Sequence, residues 1–407
     1  MFGWIISLLI VARWFTQLFL ERLNQRHVLS HAHQVPEIFR DNIDEPTYRK
    51  SIDYTLAKSR LAEIEATWDT TVLLVALFSG VLPSAFAHWQ RGVGNGVWAS
   101  AGFLFTIGVL LSLPGLPLEW YHQFRLEQRF GFNTTTQSVW WLDRVKGLVL
   151  GTVLGYPLLV LILQIVKWTG ASWWLWAWAA LMLFQFIVAL LAPVLILPLF
   201  NKFTPLPEGT LRDRLLALAA RTHFRARSLQ VMDGSKRSRH SNAFFIGFGG
   251  FRKIVLFDTL IGQLAEPELE AVLAHEIGHF KKRHIPKRLF LSALGSLGAL
   301  YLVSILAEQP WLYRAFGFEP GNTSIALLLF GLIFGTATFW FSPLAHWWSR
   351  KHEYEADRFA AETMQETGSL VGALRKLHER NLSNLMPHPV YSRFYYSHPT
   401  LIEREML

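Results

Sequence analysis

The chain has 407 residues, of which 51% are hydrophobic and only 17% charged, with 17 Trp, 31 Phe, no Cys and a formal net charge of +9. It is too apolar and too sparsely charged for an ordinary soluble domain, and the missing cysteine excludes disulfides, thiolate metal sites and a cysteine nucleophile. Nor does the basic excess point to nucleic acid, because Lys and Arg gather in particular connections between apolar windows, as membrane topology produces.

Seven windows approach the roughly 20 apolar residues that span a bilayer: Phe2 to Leu20, Trp68 to His88, Val97 to Pro117, Lys146 to Val166, Trp173 to Phe200, Arg288 to Ala307 and Thr323 to Trp347. The first has no basic residues ahead of its apolar run and no small-residue cleavage site before Glu21-Arg22, so it reads as a retained anchor. Arg13 inside it is expected to face protein or water. The connection after the first window carries Arg22, Arg26, Arg40, Arg49, Lys50, Lys58 and Arg60, whereas the next holds only Arg91. Arg125, Arg129, Arg144 and Lys146 follow window three, then Lys167 alone follows window four and Arg314 alone follows window six. This alternation predicts an amino terminus outside and a carboxyl terminus inside. The chain therefore divides into a membrane domain over 1–200, a cytoplasmic segment over 201–287, spans six and seven over 288–347, and a cytoplasmic tail over 348–407.

In the cytoplasmic segment, a helix is predicted from Thr210 to Thr222. Strands follow at Ser228 to Met232, Asn242 to Gly247 and Lys253 to Phe257, separated by the turn dipeptides Asp233-Gly234 and Gly249-Gly250. A further helix from Pro267 to Lys282 holds His275-Glu276-Ile277-Gly278-His279. Residues four apart share a helical face, so His275 and His279 can reach one metal ion with Glu276 beside the open coordination position. Zinc held by two His and one carboxylate keeps a position for water, and Glu276 is placed to take that water's proton as general base.

A third, acidic ligand should come from another helix, and Glu353-Tyr354-Glu355-Ala356-Asp357 supplies candidates. Glu353 and Asp357 lie on one face, so one can ligate while the other orients a ligand His. The competing reading is a solvated helix end paired with Arg350 and Lys351. His284, nine residues beyond His275 and about 180 degrees around an uninterrupted helix, is expected at the membrane surface with Lys281, Lys282 and Arg283 facing anionic lipid. His352 is expected to point elsewhere than the metal, and His27, His31 and His33 sit in a loop whose acidic spacing suits no second metal.

Further stretches carry a resemblance: Glu127-Gln128-Arg129-Phe130-Gly131-Phe132-Asn133, the run Pro198 to Leu206, His240-Ser241-Asn242-Ala243-Phe244, and Tyr396-Ser397-His398-Pro399-Thr400. With the two metal-helix motifs, in this order, the chain resembles the type 1 CAAX prenyl protease family of integral-membrane zinc metalloendopeptidases. The resemblance implies a mainly α, polytopic fold with seven transmembrane helices around an internal chamber and a small α/β zinc-protease domain on the cytoplasmic side. It selects Glu353 as third ligand of one zinc ion and Asp357 as the residue behind a ligand His. It also implies that Asn242 and Ala243 lie on an edge strand pairing with the substrate backbone, and that His398 stabilises the oxyanion. The implied partners are a peptide or membrane-protein substrate, prenylated if the family name applies in full, and the lipid bilayer, with no nucleic acid. Two other readings stay open: a heat-shock-type membrane quality-control zinc protease, for which fewer spans are expected, and an inactive seven-span transporter or receptor with a structural metal. A bacterial inner membrane and an ER-type membrane both fit.

Overall fold

The computed structural model describes residues 1–40, 43–225, 227–246 and 252–405. Helix α1 (Phe2–Ser30) runs ten residues past its predicted window. It can do so because Glu21 and Asn24, which turn inward, are paired: the Ser59 and Tyr391 hydroxyls donate to Glu21, and the His388 N–H donates to Asn24. Arg13, in the apolar part, lies over the Phe339 ring and so faces protein. Helix α2 (Glu45–Phe78) opens on Asp44, whose carboxylate accepts the Thr47 N–H at 2.8 Å.

The second predicted window is not one straight helix. Ser79 and Gly80 interrupt it, Gly80 takes φ 78°, and α3 (Val81–Val93) leaves at 56° to α2. The seventh breaks in the same way: its helical segments Thr323–Phe339 and Ser342–Met364 meet at 62° near Pro343, which has no N–H to continue the ladder. Between these lie α4 (Val97–Ser112), α5 (Gln137–Thr169) and α6 (Trp173–Leu191). Gly170, at φ 55°, divides α5 from α6 within a 64-residue helical stretch, and the two legs pack together.

The chain then enters its polar segment with α7 (Thr210–Arg221) and α8 (Glu266–Lys281), and returns to apolar helix with α9 (His284–Ala307) and α10 (Thr323–Phe339). Helix α11 (Ser342–Met364), α12 (Gly368–Arg380), α13 (Pro389–Tyr395) and α14 (Leu401–Glu405) follow. Packing among the apolar helices closes a ring, α1 on α2, α3, α4, α5, α6, α9, α10 and back to α1, each touching the next. Among the described residues, four helical stretches are long and apolar enough to cross a bilayer, and six if each bent pair is one span. Only 0 to 22% of those four apolar windows is buried by protein, so most of their apolar surface is left for another apolar medium.

The polar segment folds a four-stranded sheet in the order β1-β2-β4-β3: β1 (Phe203–Pro205), β2 (Ser228–Met232), β3 (Ala243–Ile246) and β4 (Lys253–Phe257). β2 and β4 are parallel, the outer pairs antiparallel. The two longer strands match their sequence-predicted bounds. β1 was not anticipated, the middle strand shortens to Ala243–Ile246, and Gly247 and the Gly249-Gly250 turn lie outside the described residues. Leu215, Leu218, Ile254, Leu256, Leu269, Leu273, Ile277 and Ala360 form the core beneath the sheet, each fully buried Leu or Ile contributing roughly 1.5–3 kcal/mol. Val28, Phe39, Tyr48 and Ile52, from the start of the chain, complete the same core and so fix the membrane ring to the sheet and its helices.

Candidate metal centre and active site

Two helices carry the site. The Glu268 carboxylate accepts the Ala265 N–H at 2.8 Å and starts α8, while Arg214 and Arg221 of α7 hold the buried Glu270. Helix α8 is thereby pinned from both its first turn and its flank. It crosses α11 at Gly278: a Cβ there would lie 3.0 Å from Ala356 Cα and 3.1 Å from its carbonyl oxygen. The absent side chain lets the two backbones meet and brings His275 and His279 up to Glu353.

There, the Nε2 atoms of His275 and His279 are 3.2 Å apart, and they stand 3.5 and 3.4 Å from the two Glu353 carboxylate oxygens. Glu353 is 2% exposed, and its Oε2 accepts no hydrogen bond. A buried carboxylate oxygen without a proton donor is costly. Two imidazoles and this carboxylate converge on one point, the nitrogen and oxygen donor set zinc accepts, so the residues fit the metal. Burial, aided by the neighbouring His275, lowers His279 to about 3, leaving the neutral imidazole that can ligate. Burial alone would also lower His275, yet its bond to Asp357 and the neighbouring Glu353 carboxylate raise it to about 9.

Asp357 holds the other nitrogen of His275: Nδ1 is 2.8 Å from Asp357 Oδ1. Arg404, at the end of the chain on α14, donates to both Asp357 oxygens, one bond from Nε at 2.8 Å. Sequence reasoning gave Arg404 no role, since nothing in its local pattern marks a residue whose partner lies 47 positions away. Arg350, considered from the sequence only as a salt-bridge partner on a solvated helix end, instead donates to the Arg393 and Tyr396 carbonyls at 3.3 and 2.7 Å and so clasps the segment leading to His398.

One histidine expectation is corrected. His284 does not face lipid; it is 1% exposed and its Nδ1 lies 2.9 Å from His279 Nδ1. The helical extrapolation failed because α8 ends at Lys281 and Arg283 adopts a left-handed conformation (φ 56°), which turns His284 back toward the site. His352 points away from the metal ligands as expected, but inward, its ring stacked on His284 at 4.0 Å. Glu355, on the far side of α11 from Glu353, bonds His284 Nε2 at 3.0 Å.

Glu276 faces a cleft of about 140 Å³ that it shares with His275, Glu353, Asn242, Ala243 and His398. Burial pushes its carboxyl up to about 7, where a carboxylate works as a base near neutrality. Ala243 begins β3, which stands at the sheet's edge, and Asn242 precedes it with its carbonyl accepting the Phe257 N–H. His398 reaches to 3.5 Å from Glu353 Oε2 and also lines a larger, polar cavity of about 560 Å³ with Glu21, Lys58 and Tyr395. Tyr54 and His240 also line that cavity, and behind them the buried Glu127 accepts from Tyr54 at 2.5 Å and bonds His240 at 3.1 Å, while His240 stacks on Phe132. The stretch Glu127 to Asn133 thereby grips the turn that leads into Asn242. His27 and His31 lie ring to ring, with His388 against His27, but no acidic group joins them in a metal-holding cluster among the described residues.

The chain matches two family models: CAAX prenyl protease N-terminal, five membrane helices, over residues 24–202, and peptidase family M48 over residues 205–405. It is 35% identical to the CAAX prenyl protease 1 homolog of Dictyostelium discoideum, covering 93% of this chain and 90% of that one. It is likewise 35% identical to CAAX prenyl protease 1 of Saccharomyces cerevisiae, covering 91% and 87%. The fold superposes on the crystal structure of S. mikatae Ste24p with a TM-score of 0.91 at 32% identity, covering 99% of this chain and 98% of that one.

Proposed function

The chain belongs to peptidase family M48, as a multi-pass membrane metalloendopeptidase similar to CAAX prenyl protease 1, and on that footing we propose that His275, His279 and Glu353 hold one zinc ion at which it cleaves prenylated carboxyl-terminal peptides. The observation that carries this reading is the convergence of the His275 and His279 Nε2 atoms on the buried Glu353 carboxylate, one of whose oxygens accepts no hydrogen bond. Bound zinc supplies Lewis acidity, toward water and toward the scissile carbonyl.

The chain's own residues do the rest. Glu276, beside His275 on the common cleft, takes the proton released as water attacks and returns it to the leaving amine. His398, close to Glu353, donates a hydrogen bond where negative charge develops on the carbonyl oxygen. The free edge of β3 at Ala243 adds the substrate as a strand, with Asn242 fixing its register toward the metal. Asp357, braced by Arg404, holds His275 with its other nitrogen toward the ion. Glu276 also weighs against a structural metal, which would close its fourth position with protein and need no base.

Within the ring we place seven crossings, the 64-residue stretch making two at Gly170 and each bent pair making one. Sixty-four helical residues would extend about 96 Å, some three bilayer cores. Basic connections put the amino terminus outside, with the metal site and tail in the cytoplasm. The interior enclosed by the ring serves as the chamber through which substrate reaches the cleft.

The test is cleavage, by the purified protein in detergent, of a farnesylated CAAX peptide and of the same peptide without its lipid. Zinc-dependent cleavage of the farnesylated peptide, reduced about 10²-fold or more in Glu276→Gln, supports the assignment. Equal turnover of both peptides removes the prenyl requirement and favours general membrane proteolysis. A tag on the carboxyl terminus that proved accessible only from outside intact cells would overturn the orientation.

A further inference from the structure

The two histidines facing Glu353 are braced differently. Behind His275 stands a carboxylate, Asp357, in direct contact. Behind His279 stands another histidine, with the carboxylate one ring further out: His279 Nδ1 to His284 Nδ1 is 2.9 Å, and His284 Nε2 to Glu355 Oε2 is 3.0 Å. His284 is buried, and the His352 ring lies parallel against it at 4.0 Å with 10° between planes, so it has one seat.

Proton counting gives this chain of contacts one consistent direction. If His279 offers Nε2 to a metal, its Nδ1 carries hydrogen and must donate. His284 Nδ1 must then be bare, so the His284 proton sits on Nε2, where the Glu355 carboxylate accepts it. We propose that His284, backed by Glu355, is a positioning residue of the metal site: it locks His279 in the tautomer and ring orientation that present Nε2 to the ion. The inference rests on His279 being a ligand. Two features of the backbone build it. The left-handed turn at Arg283 brings His284 back beneath His279, and α11 contributes Glu353 on one face and Glu355 on another, so one helix supports His279 from both sides.

The test uses the full-length protein in detergent, with zinc affinity measured by chelator competition and the visible absorption of the cobalt-substituted protein as a readout of ligand geometry. His284→Leu is expected to lower zinc affinity about 10- to 100-fold and to alter the cobalt bands. His284→Asn, whose carboxamide oxygen can stand in for Nδ1, restores most of the affinity, and Glu355→Ala shows a smaller loss than His284→Leu. Native affinity and native cobalt bands in His284→Leu overturn the proposal. So do equal losses in His284→Leu and His284→Asn, which would make the residue a packing element only. If His284→Leu does not accumulate as folded protein, His284→Asn is set against His284→Gln, which places its oxygen near Nε2 instead; equal affinities then overturn it. A wild-type protein that holds no zinc, or a His275→Ala variant that keeps it, fails the metal site itself and is thereby distinguished from failure of His284.

Discussion

Gly278 lies so close to Ala356 that a Cβ on the glycine would stand 3.0 Å from the Ala356 Cα. The neighbour is backbone, which cannot swing aside as a side chain can. Replacement by Ala gains about 1 kcal/mol of helix propensity and incurs roughly 1–3 kcal/mol of overpacking. Gly278→Ala is therefore expected to push α8 from α11, weakening zinc binding as well as lowering Tm, as chelator competition and thermal unfolding would report. An unchanged zinc affinity would show that the helices separate without disturbing the ligands.

Glu276→Gln keeps the shape of the cleft and removes the base. Zinc content should stay at one ion per chain while kcat falls about 10²- to 10⁴-fold. In the wild type, Glu276 must be ionised to accept a proton. Burial raises its pKa to about 7, so activity should decline as pH drops through an acid limb near 7. An acid limb that survives unchanged in the residual activity of Glu276→Gln would assign it to another group.

Removing the metal should abolish cleavage reversibly. Zinc that binds the folded chain alone stabilises it by about 2.7 kcal/mol at 100 times its Kd, so chelation is expected to lower Tm and zinc to restore both stability and activity. His275→Ala should show the low Tm with or without added zinc. Activity that survives complete demetallation would exclude the mechanism.

In the proposed metal site, Arg404 and Asp357 reach the ion through His275. Arg404→Ala leaves the buried Asp357 with one of its charged partners removed, and Asp357→Ala leaves His275 Nδ1 without its acceptor. Each change should weaken zinc binding about 10- to 100-fold, and the double variant should lose less than the sum of the two, because both operate on one chain of contacts. Additive losses would mean that Arg404 acts elsewhere.

Arg350 holds the segment before His398 through the Arg393 and Tyr396 carbonyls without touching the metal ligands. Arg350→Ala should leave zinc affinity intact and lower kcat more than it changes KM, the pattern of a loosened oxyanion donor. A loss of zinc with the loss of turnover would place its role in α11 instead.

The chain's own order of residues determined a good deal. The apolar windows all fall on helices, because no other structure satisfies twenty backbone amides in lipid without outside partners. The spacing of His275, Glu276 and His279, and of Glu353 and Asp357, followed from the helical period within unbroken helices. Tertiary structure decided what period cannot reach. Gly80 and Pro343 bent two of the predicted spans, and Arg283 ended the regular helix that had sent His284 toward lipid. Arg404, Arg350 and the Glu127–His240 contact join residues dozens of positions apart, where no local pattern registers. The proposed metal site depends on the close approach of α8 and α11 that Gly278 allows: helical spacing can put His275 and His279 on one face, but the distance from that face to Glu353 is set by packing between helices.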